Sequence, residues 1–454
     1  MDHAAQTPPV GATPELPRRA RQPRDGELEA PHPLYCVWEI TLKCDLGCKH
    51  CGSRAGPSRD DELTTEECLD VVQQMADLGL REVTLIGGEA YLREDWDVIA
   101  KAIVDQGMVC GMTTGARGLS QDRLQRAIDA GISVISVSID GLERTHDAQR
   151  GVKGSWRSAV EAARRIGESS VRLGNNTQIN RLSMPELPAL ASLLADMGSE
   201  AWQIQLTVPM GRGADRADLL LQPFELLDLY PLLVWVNEER LKRSGVTLFM
   251  GNNIGYFGPH EGDLRFNGHR GAHWASCPAG KWSIGLEADG KIKGCPSLPS
   301  GNYTGGMTRE HRIADVVASS RPVTYVRERT VADLWGYCRS CYYAEVCKAG
   351  CTWTSQVLMG RPGNNPFCVH RAQQQQQRGI QERLVRVAEA PGLPFDQGRF
   401  SLVEEPATPR PGTVCGFTRE AMADLHFSAG SIWSDADLAR ILTPDGRSRL
   451  PVVA

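Results

Sequence analysis

The stretch Tyr35–Cys51, YCVWEITLKCDLGCKHC, sets the fold and the chemistry side by side. Its first half, Cys36 to Thr41, is a β-prone apolar run that reads as a buried strand. Its second half is a loop in which Cys44, Cys48 and Cys51 are separated by three and then two residues, with Gly47 between the first two. Three thiolates this close can wrap a cube-shaped [4Fe–4S] cluster while leaving one iron without a protein ligand. The same thiols could instead hold zinc, with His50 completing the closed tetrahedral set that a structural zinc site requires.

Outward from this stretch, further strands are expected at Val83 to Ile86, Val109 to Thr114, Val134 to Ile139, Val171 to Ile179 and Ala201 to Leu206. Helical patterns lie between them, the clearest over Thr64 to Leu78. There Thr64 and Glu67 form a capping box, and Cys68, Val71, Val72, Met75 and Leu78 form one apolar stripe. Other helices are expected over Trp96 to Asp105, Gln121 to Ala130, Trp156 to Ile166, Met184 to Met197 and near Phe224 to Leu241. Strand–helix repetition implies parallel pairing through right-handed crossovers, and six such units make an incomplete barrel or a doubly wound sheet. Both place their chemistry at the C-terminal ends of the strands.

A chain of 454 residues, 41% of them hydrophobic, can bury one large core and a smaller one. Residues 1–33 are rich in Pro, Arg and Ala and read as a disordered tail. The net charge of −5, from 50 basic and 55 acidic residues, gives no footprint for nucleic acid or for an anionic membrane. No basic stretch and apolar run opens the chain, and no uninterrupted apolar run is long enough to span a bilayer, so a cytoplasmic protein is expected. Fourteen cysteines, gathered in two tracts, suit metal sites in a reducing compartment better than a disulfide framework.

The cysteine triplet, with His50 at the aromatic-type position before the last cysteine, resembles the radical S-adenosylmethionine (SAM) superfamily. The resemblance implies that SAM occupies the open iron and is cleaved to methionine and a 5′-deoxyadenosyl radical that abstracts hydrogen from substrate. Gly87-Gly88-Glu89, at the end of the second strand, is similar to the family's motif for the methionine amino group, although by itself the tripeptide is a turn. The resemblance also assigns Ser138 and Arg150 to the ribose and carboxylate region of SAM. The plainer alternative is a polar strand end with a loop salt bridge.

From Gly251 to Cys368 the strand–helix rhythm stops, and the composition suggests a small domain held by metal. Asp289-Gly290, between two β-prone runs, signals a hairpin that would draw Cys277 and Cys295 together. Cys338, Cys341, Cys347 and Cys351 follow at spacings of two, five and three residues, with Cys368 after a gap. The ordered seven-cysteine pattern resembles the SPASM domain, which carries auxiliary [4Fe–4S] clusters in peptide- and protein-modifying radical SAM enzymes. That resemblance implies two auxiliary clusters, one held by Cys338, Cys341, Cys347 and Cys368 and the other by Cys277, Cys295 and Cys351. The second set lacks a fourth thiolate, which leaves His269, His273, solvent or substrate to complete it.

The expected fold is thus α/β, a partial (β/α)6 TIM-like barrel over 34–250 with a C-terminal cysteine-rich auxiliary-cluster domain over 251–384. Residues 385–454 are an extension without a readable motif. The expected function is maturation of a short ribosomal precursor peptide by crosslinking, oxidation or epimerisation. Expected partners are that peptide, an electron donor such as flavodoxin or ferredoxin, and a separate leader-binding protein. Two other functions stay open: modification of a small molecule such as a tetrapyrrole, and non-catalytic iron–sulfur electron transfer.

Overall fold

In the computed structural model, which describes residues 20, 21, 23, 24, 26–29, 31–265, 273–410 and 412–442, strands and helices alternate from Tyr35 to Met250. Strands β1 (Tyr35–Glu39), β2 (Glu82–Ile86), β3 (Val109–Thr114), β4 (Val134–Ser138), β5 (Arg172–Ile179) and β6 (Ala201–Leu206) pair parallel in chain order. Helices make the crossovers that parallel neighbours need: α1 (Thr65–Asp77), α2 (Trp96–Asp105), α3 (Gln121–Asp129), α4 (Glu143–Arg150), α5 (Ser155–Gly167) and α6 (Leu187–Asp196). The capping box closes α1, with the Glu67 amide donating to Thr64 Oγ1 at 3.3 Å and the Thr64 amide to Glu67 Oε2 at 2.8 Å. Its stripe of Cys68, Val71, Val72 and Met75 is buried.

The parallel run continues one strand beyond the six, because β7 (Thr247–Met250) pairs with β6. Only four residues long, and placed between Gly245 and Gly251, β7 is too short to show a period in the sequence. On the other edge, β8 (Ser283–Leu286) adds parallel to β1, while β9 (Lys291–Lys293) and β10 (Thr304–Met307) follow antiparallel. The turn at Asp289-Gly290 joins β8 to β9, with Gly290 at φ +90°. The cysteine-rich region therefore shares one ten-stranded sheet with the barrel.

Each parallel strand alternates between two environments. Cys36, Trp38, Val83, Leu85 and Trp202 are fully buried, whereas Tyr35, Val37, Thr84, Ile86, Gln203 and Gln205 line a cavity on the concave side. Burying each large apolar side chain stabilises the fold by about 1.5–3 kcal/mol. That burial lies on the outer face, which leaves the inner face free to be polar.

Between β6 and β7 the chain forms the short helix α7 (Arg212–Asp215) and then α8 (Leu226–Val236). The segment Ala217–Ser244 is long and apolar enough to cross a membrane, but most of it lies inside the protein, with Leu226, Leu229, Leu233 and Val236 in the core. Of the expected tail, residues 1–19, 22, 25 and 30 lie outside the described residues. Arg21 sits 4.7 Å from the centroid of the Tyr35 ring, and Glu27 pairs with Arg81.

Beyond the cysteines, the five consecutive glutamines Gln373 to Gln377 form the end of the helix Val369–Gln377. The chain then enters β11 (Ile380–Ala388), which pairs antiparallel with β12 (Arg399–Pro406), so position 384 falls inside a strand. Farther on, Trp433, Leu438 and Ile441 pack against Leu182 and Leu219 of the barrel.

Candidate active site

The loop that carries Cys44, Cys48 and Cys51 is pinned on two sides. The Gly47 and Lys49 amides donate to Arg150 O at 2.9 Å and Gln149 O at 2.7 Å, which ties the loop to the end of α4. Arg212, at the start of α7, donates from Nε to Cys48 O at 2.7 Å and from its own amide to Cys51 O at 2.9 Å. Gly151 takes φ +70° at this seam, where a Cβ would sit 2.6 Å from Gly47 O. All three sulfurs have polar neighbours. The Leu46 amide donates to Cys44 Sγ at 3.4 Å, Arg150 Nη1 donates to Cys48 Sγ at 3.7 Å, and Ser53 Oγ lies 3.5 Å from Cys51 Sγ.

Gly87-Gly88-Glu89 folds directly against this loop, with the Gly88 and Glu89 amides donating to Thr41 O and Lys43 O at 2.9 and 2.8 Å. A Cβ on Gly88 would lie 2.1 Å from Lys43 O, so the approach requires glycine. The Glu89 carboxylate accepts from the Gly115 amide at 2.6 Å and from the Thr114 hydroxyl, and burial pushes its pKa up to about 7. Ligand atoms of Cys44, Asp45 and Glu89 lie within 4.8 Å of one another.

Arg150 is buried beside Cys48 and forms an ion pair with Asp140, its Nη2 2.6 Å from Oδ2, while His50 Nε2 lies 3.1 Å from the same oxygen. Against the opposing effect of burial, the Arg150 guanidinium and the neighbouring His50 ring hold Asp140 far below the usual carboxylate range, and burial with Arg150 holds His146 down to about 3. Ser138 is half-buried at the end of β4, in phase with Ser136, which lines the cavity.

The triplet suits a metal cluster on grounds this structure supplies. Burial pushes Cys44 up to about 12 and Cys48 to about 11, so without a metal these groups stay neutral thiols. Around them Asp45 Oδ1, His50 Nδ1 and Arg150 Nε are buried without a hydrogen-bond partner, as polar groups facing a ligand would be.

The concave cavity has a volume of about 580 Å³. Its wall is mostly uncharged: Thr84, Thr113, Ser136, Asn176, Gln178, Gln203 and Gln205 line it from β2 to β6, and His50, Gly52 and Ser53 of the cysteine loop close one end. Of the polar and aromatic residues on and just after β5 and β6, Asn175, Asn176, Gln203 and Gln205 line it. Trp202 is buried on the other face, with Nε1 donating to Thr177 Oγ1 at 2.8 Å, and Arg181 pairs with Glu225 at 3.0 Å. Sequence reasoning did not single out Glu39, a cavity residue at the end of β1 that bonds Arg59 at 2.9 Å and whose pKa burial pushes up to about 7. The available signal was a lone carboxylate inside an apolar strand. Arg212 and Phe395 also went unnoticed, since neither stands in a local pattern.

Four of the later cysteines share one cavity. Cys338, Cys341, Cys347 and Cys368 line one cavity of about 20 Å³ with Tyr256, Phe257, Tyr337 and Tyr343. The Asn365 amide donates to Cys338 Sγ at 3.4 Å there. Cys351 does not line that cavity, although it packs with Cys347, Tyr256 and Trp274 in one buried cluster; burial pushes its thiol up to about 12, and the next influences on it are Cys277 and Cys295. His273 packs on Phe257, with ring centroids 5.7 Å apart, which places it near the four-cysteine cavity; His269 lies outside the described residues. Cys36, Cys68 and Cys110 are buried in the barrel core, and Cys415 lies partly buried in the C-terminal region.

Residues 38–193 match the Radical SAM superfamily. The chain is 26% identical over 351 residues to the AdoMet-dependent heme synthase of Methanosarcina barkeri, covering 75% of this chain and 97% of that one. It is 28% identical over 361 residues to the mycofactocin maturase MftC of Mycolicibacterium smegmatis, covering 78% and 86%. In fold it resembles SuiB of Streptococcus suis bound to S-adenosylmethionine, with a TM-score of 0.59 at 17% identity over 74% of this chain and 76% of that chain. The barrel that presents Cys44, Cys48 and Cys51 beside Gly87-Gly88-Glu89 is a radical SAM domain, the enzyme fold of a superfamily that works with a [4Fe–4S] cluster and SAM.

Proposed function

We propose that this protein is a peptide maturase that uses SAM to start a radical modification of a ribosomal precursor peptide. Cys44, Cys48 and Cys51 hold the cluster, Glu89 receives the amino group of SAM, and Arg150 and Ser138 bind its polar remainder. Bound in this way, cluster and SAM supply a 5′-deoxyadenosyl radical that abstracts hydrogen. The loop and α4 hold SAM at one end of the cavity, and the sheet presents substrate from the other.

The observation that carries the peptide reading is the wall of the cavity. Neutral amides and hydroxyls on Asn176, Gln178, Gln203, Gln205 and Ser136 match the alternating donors and acceptors of a peptide backbone. The mycofactocin maturase among the relatives supports it. The heme synthase relative favours a tetrapyrrole as a second reading. A carboxylate-bearing macrocycle calls for several cations, however, and among the described residues that line the cavity Arg21 and Arg172 alone carry a permanent positive charge, both at the N-terminal ends of the strands.

Further readings complete the proposal. Cys338, Cys341, Cys347 and Cys368 bind one auxiliary [4Fe–4S] cluster, and Cys277, Cys295 and Cys351 bind the other. A flavodoxin- or ferredoxin-type protein delivers electrons, and the protein works in the cytoplasm. The test is co-expression with short open reading frames from the same gene neighbourhood, followed by mass spectrometry. A peptide whose mass changes only with the active protein is the expected result. A modified tetrapyrrole with no modified peptide would overturn the substrate assignment.

A further inference from the structure

The hairpin β11–β12 lies beyond the last cysteine, yet its loop, residues 389–398, reaches the mouth of the barrel. The Phe395 amide donates to Gly52 O at 3.2 Å, next to Cys51, and the Gly211 amide donates to Asp396 O at 2.8 Å. Arg54 binds the loop through Nε to Asp396 Oδ1 at 2.9 Å and grips Asp215 of α7 with both Nη atoms, at 2.7 and 2.8 Å. One arginine thus ties the cysteine loop, the segment after β6 and the hairpin together. Arg54 and Phe395 both adopt left-handed backbone, at φ +51° and +56°, a conformation that side chains larger than glycine hold only when their surroundings impose it.

The Phe395 ring is part of the cavity wall. Lys293 Nζ stands 4.1 Å from the ring centroid, and the Arg59 guanidinium 6.0 Å. The ring therefore fills the corner between the cysteine loop and strand β9. From these contacts we infer that the loop 389–398 is the outer wall of the reaction chamber, and that Phe395 on it limits what reaches the radical site. The inference rests on the cavity being the place where the SAM-derived radical meets its substrate. It gives the C-terminal hairpin a part in selectivity that packing alone would not.

The test uses the anaerobically reconstituted full chain with SAM and dithionite and no added substrate. Formation of 5′-deoxyadenosine measures unproductive cleavage, which rises when the chamber opens to reductant and solvent. Phe395→Ala is expected to raise that rate several-fold, and Phe395→Leu, which keeps the bulk, to stay near the parent. In parallel, Asp396→Ala is expected to speed hydrogen exchange across 389–398 and 210–213, where the Phe395 and Gly211 amides cross the seam, and to leave the helix Val369–Gln377 unchanged. Unchanged cleavage in Phe395→Ala, even with a lower melting temperature, would make the ring simple core packing and overturn the inference. So would unchanged exchange in Asp396→Ala. A parent that forms no 5′-deoxyadenosine would overturn the radical reading instead, and the exchange arm would still decide whether the loop is a wall.

Discussion

The two cysteine regions are assembled by different physics. Cys44, Cys48 and Cys51 lie within eight residues of chain on one loop, and the barrel only has to hold that loop in place through α4 and Arg212. Cys277 to Cys368 are scattered over a long segment, and the fold has to sort them. The instructive residue is Cys351, which follows Cys347 after three intervening residues yet stays out of the cavity that Cys347 lines, with the Cys277 and Cys295 thiols next after burial among the influences that raise its own. A local motif can be read as a site, whereas a sorted set becomes a site only through the β8–β9 hairpin and the helical turns around it.

If the first region is self-contained, the largest effect falls there. Cys48→Ala should abolish SAM cleavage, measured as 5′-deoxyadenosine and methionine, while the later cysteines keep binding iron. Residual cleavage near the parent rate would break the assignment. Gly88→Ala comes next. Its Cβ would lie 2.1 Å from Lys43 O, and the displaced turn should cost about 10²-fold in cleavage rate, since misplacement of about 1 Å near reacting groups costs that much.

The second region should show the opposite behaviour. Cys341→Ala is expected to retain part of the SAM cleavage and lose product formation, measured by assaying 5′-deoxyadenosine and modified peptide in one reaction. Equal loss of both would merge the two regions into one functional unit.

The smallest effect belongs to the seam between them, where Glu39 bonds Arg59 and Arg59 reaches Glu287 at 3.2 Å. Burial raises the Glu39 pKa from 4.5 to about 7, so ionising it costs the folded state more as the pH climbs through that window. Glu39→Gln does not titrate. Its melting temperature should therefore gain on the parent by a few degrees between about pH 5 and 7 and stay level above, because one buried group is worth about that much. Parallel melting curves across the window would remove Glu39 as a buried acid.

The parts of this molecule that were legible in its sequence are those with a short period or a fixed spacing. The capping box at Thr64 and Glu67, the apolar runs of β1 to β6 and the turn at Asp289-Gly290 each declare themselves within a few residues. The cysteine spacing and Gly87-Gly88-Glu89 did the same for the site. Strand β7 escaped because four residues cannot show an alternation, and the pairing of β8 with β1 escaped because β1 precedes it by about 250 residues, a distance local patterning does not bridge. Phe395 escaped for the same reason: nothing in the sequence around it points to Gly52 or Lys293. The inward face of the sheet, with Glu39 and the amides, follows from strand parity once β1 to β6 are placed.

The most direct test of the sorting of the cysteines is spectroscopic. Single alanine variants of Cys277, Cys347, Cys351 and Cys368, reconstituted anaerobically, can be compared by iron content and by the electron paramagnetic resonance of their reduced clusters. Cys351→Ala is expected to lose the same signal as Cys277→Ala, and Cys347→Ala the same signal as Cys368→Ala, with the triplet's signal intact in all four. Loss of one shared signal in Cys347→Ala and Cys351→Ala would contradict that sorting.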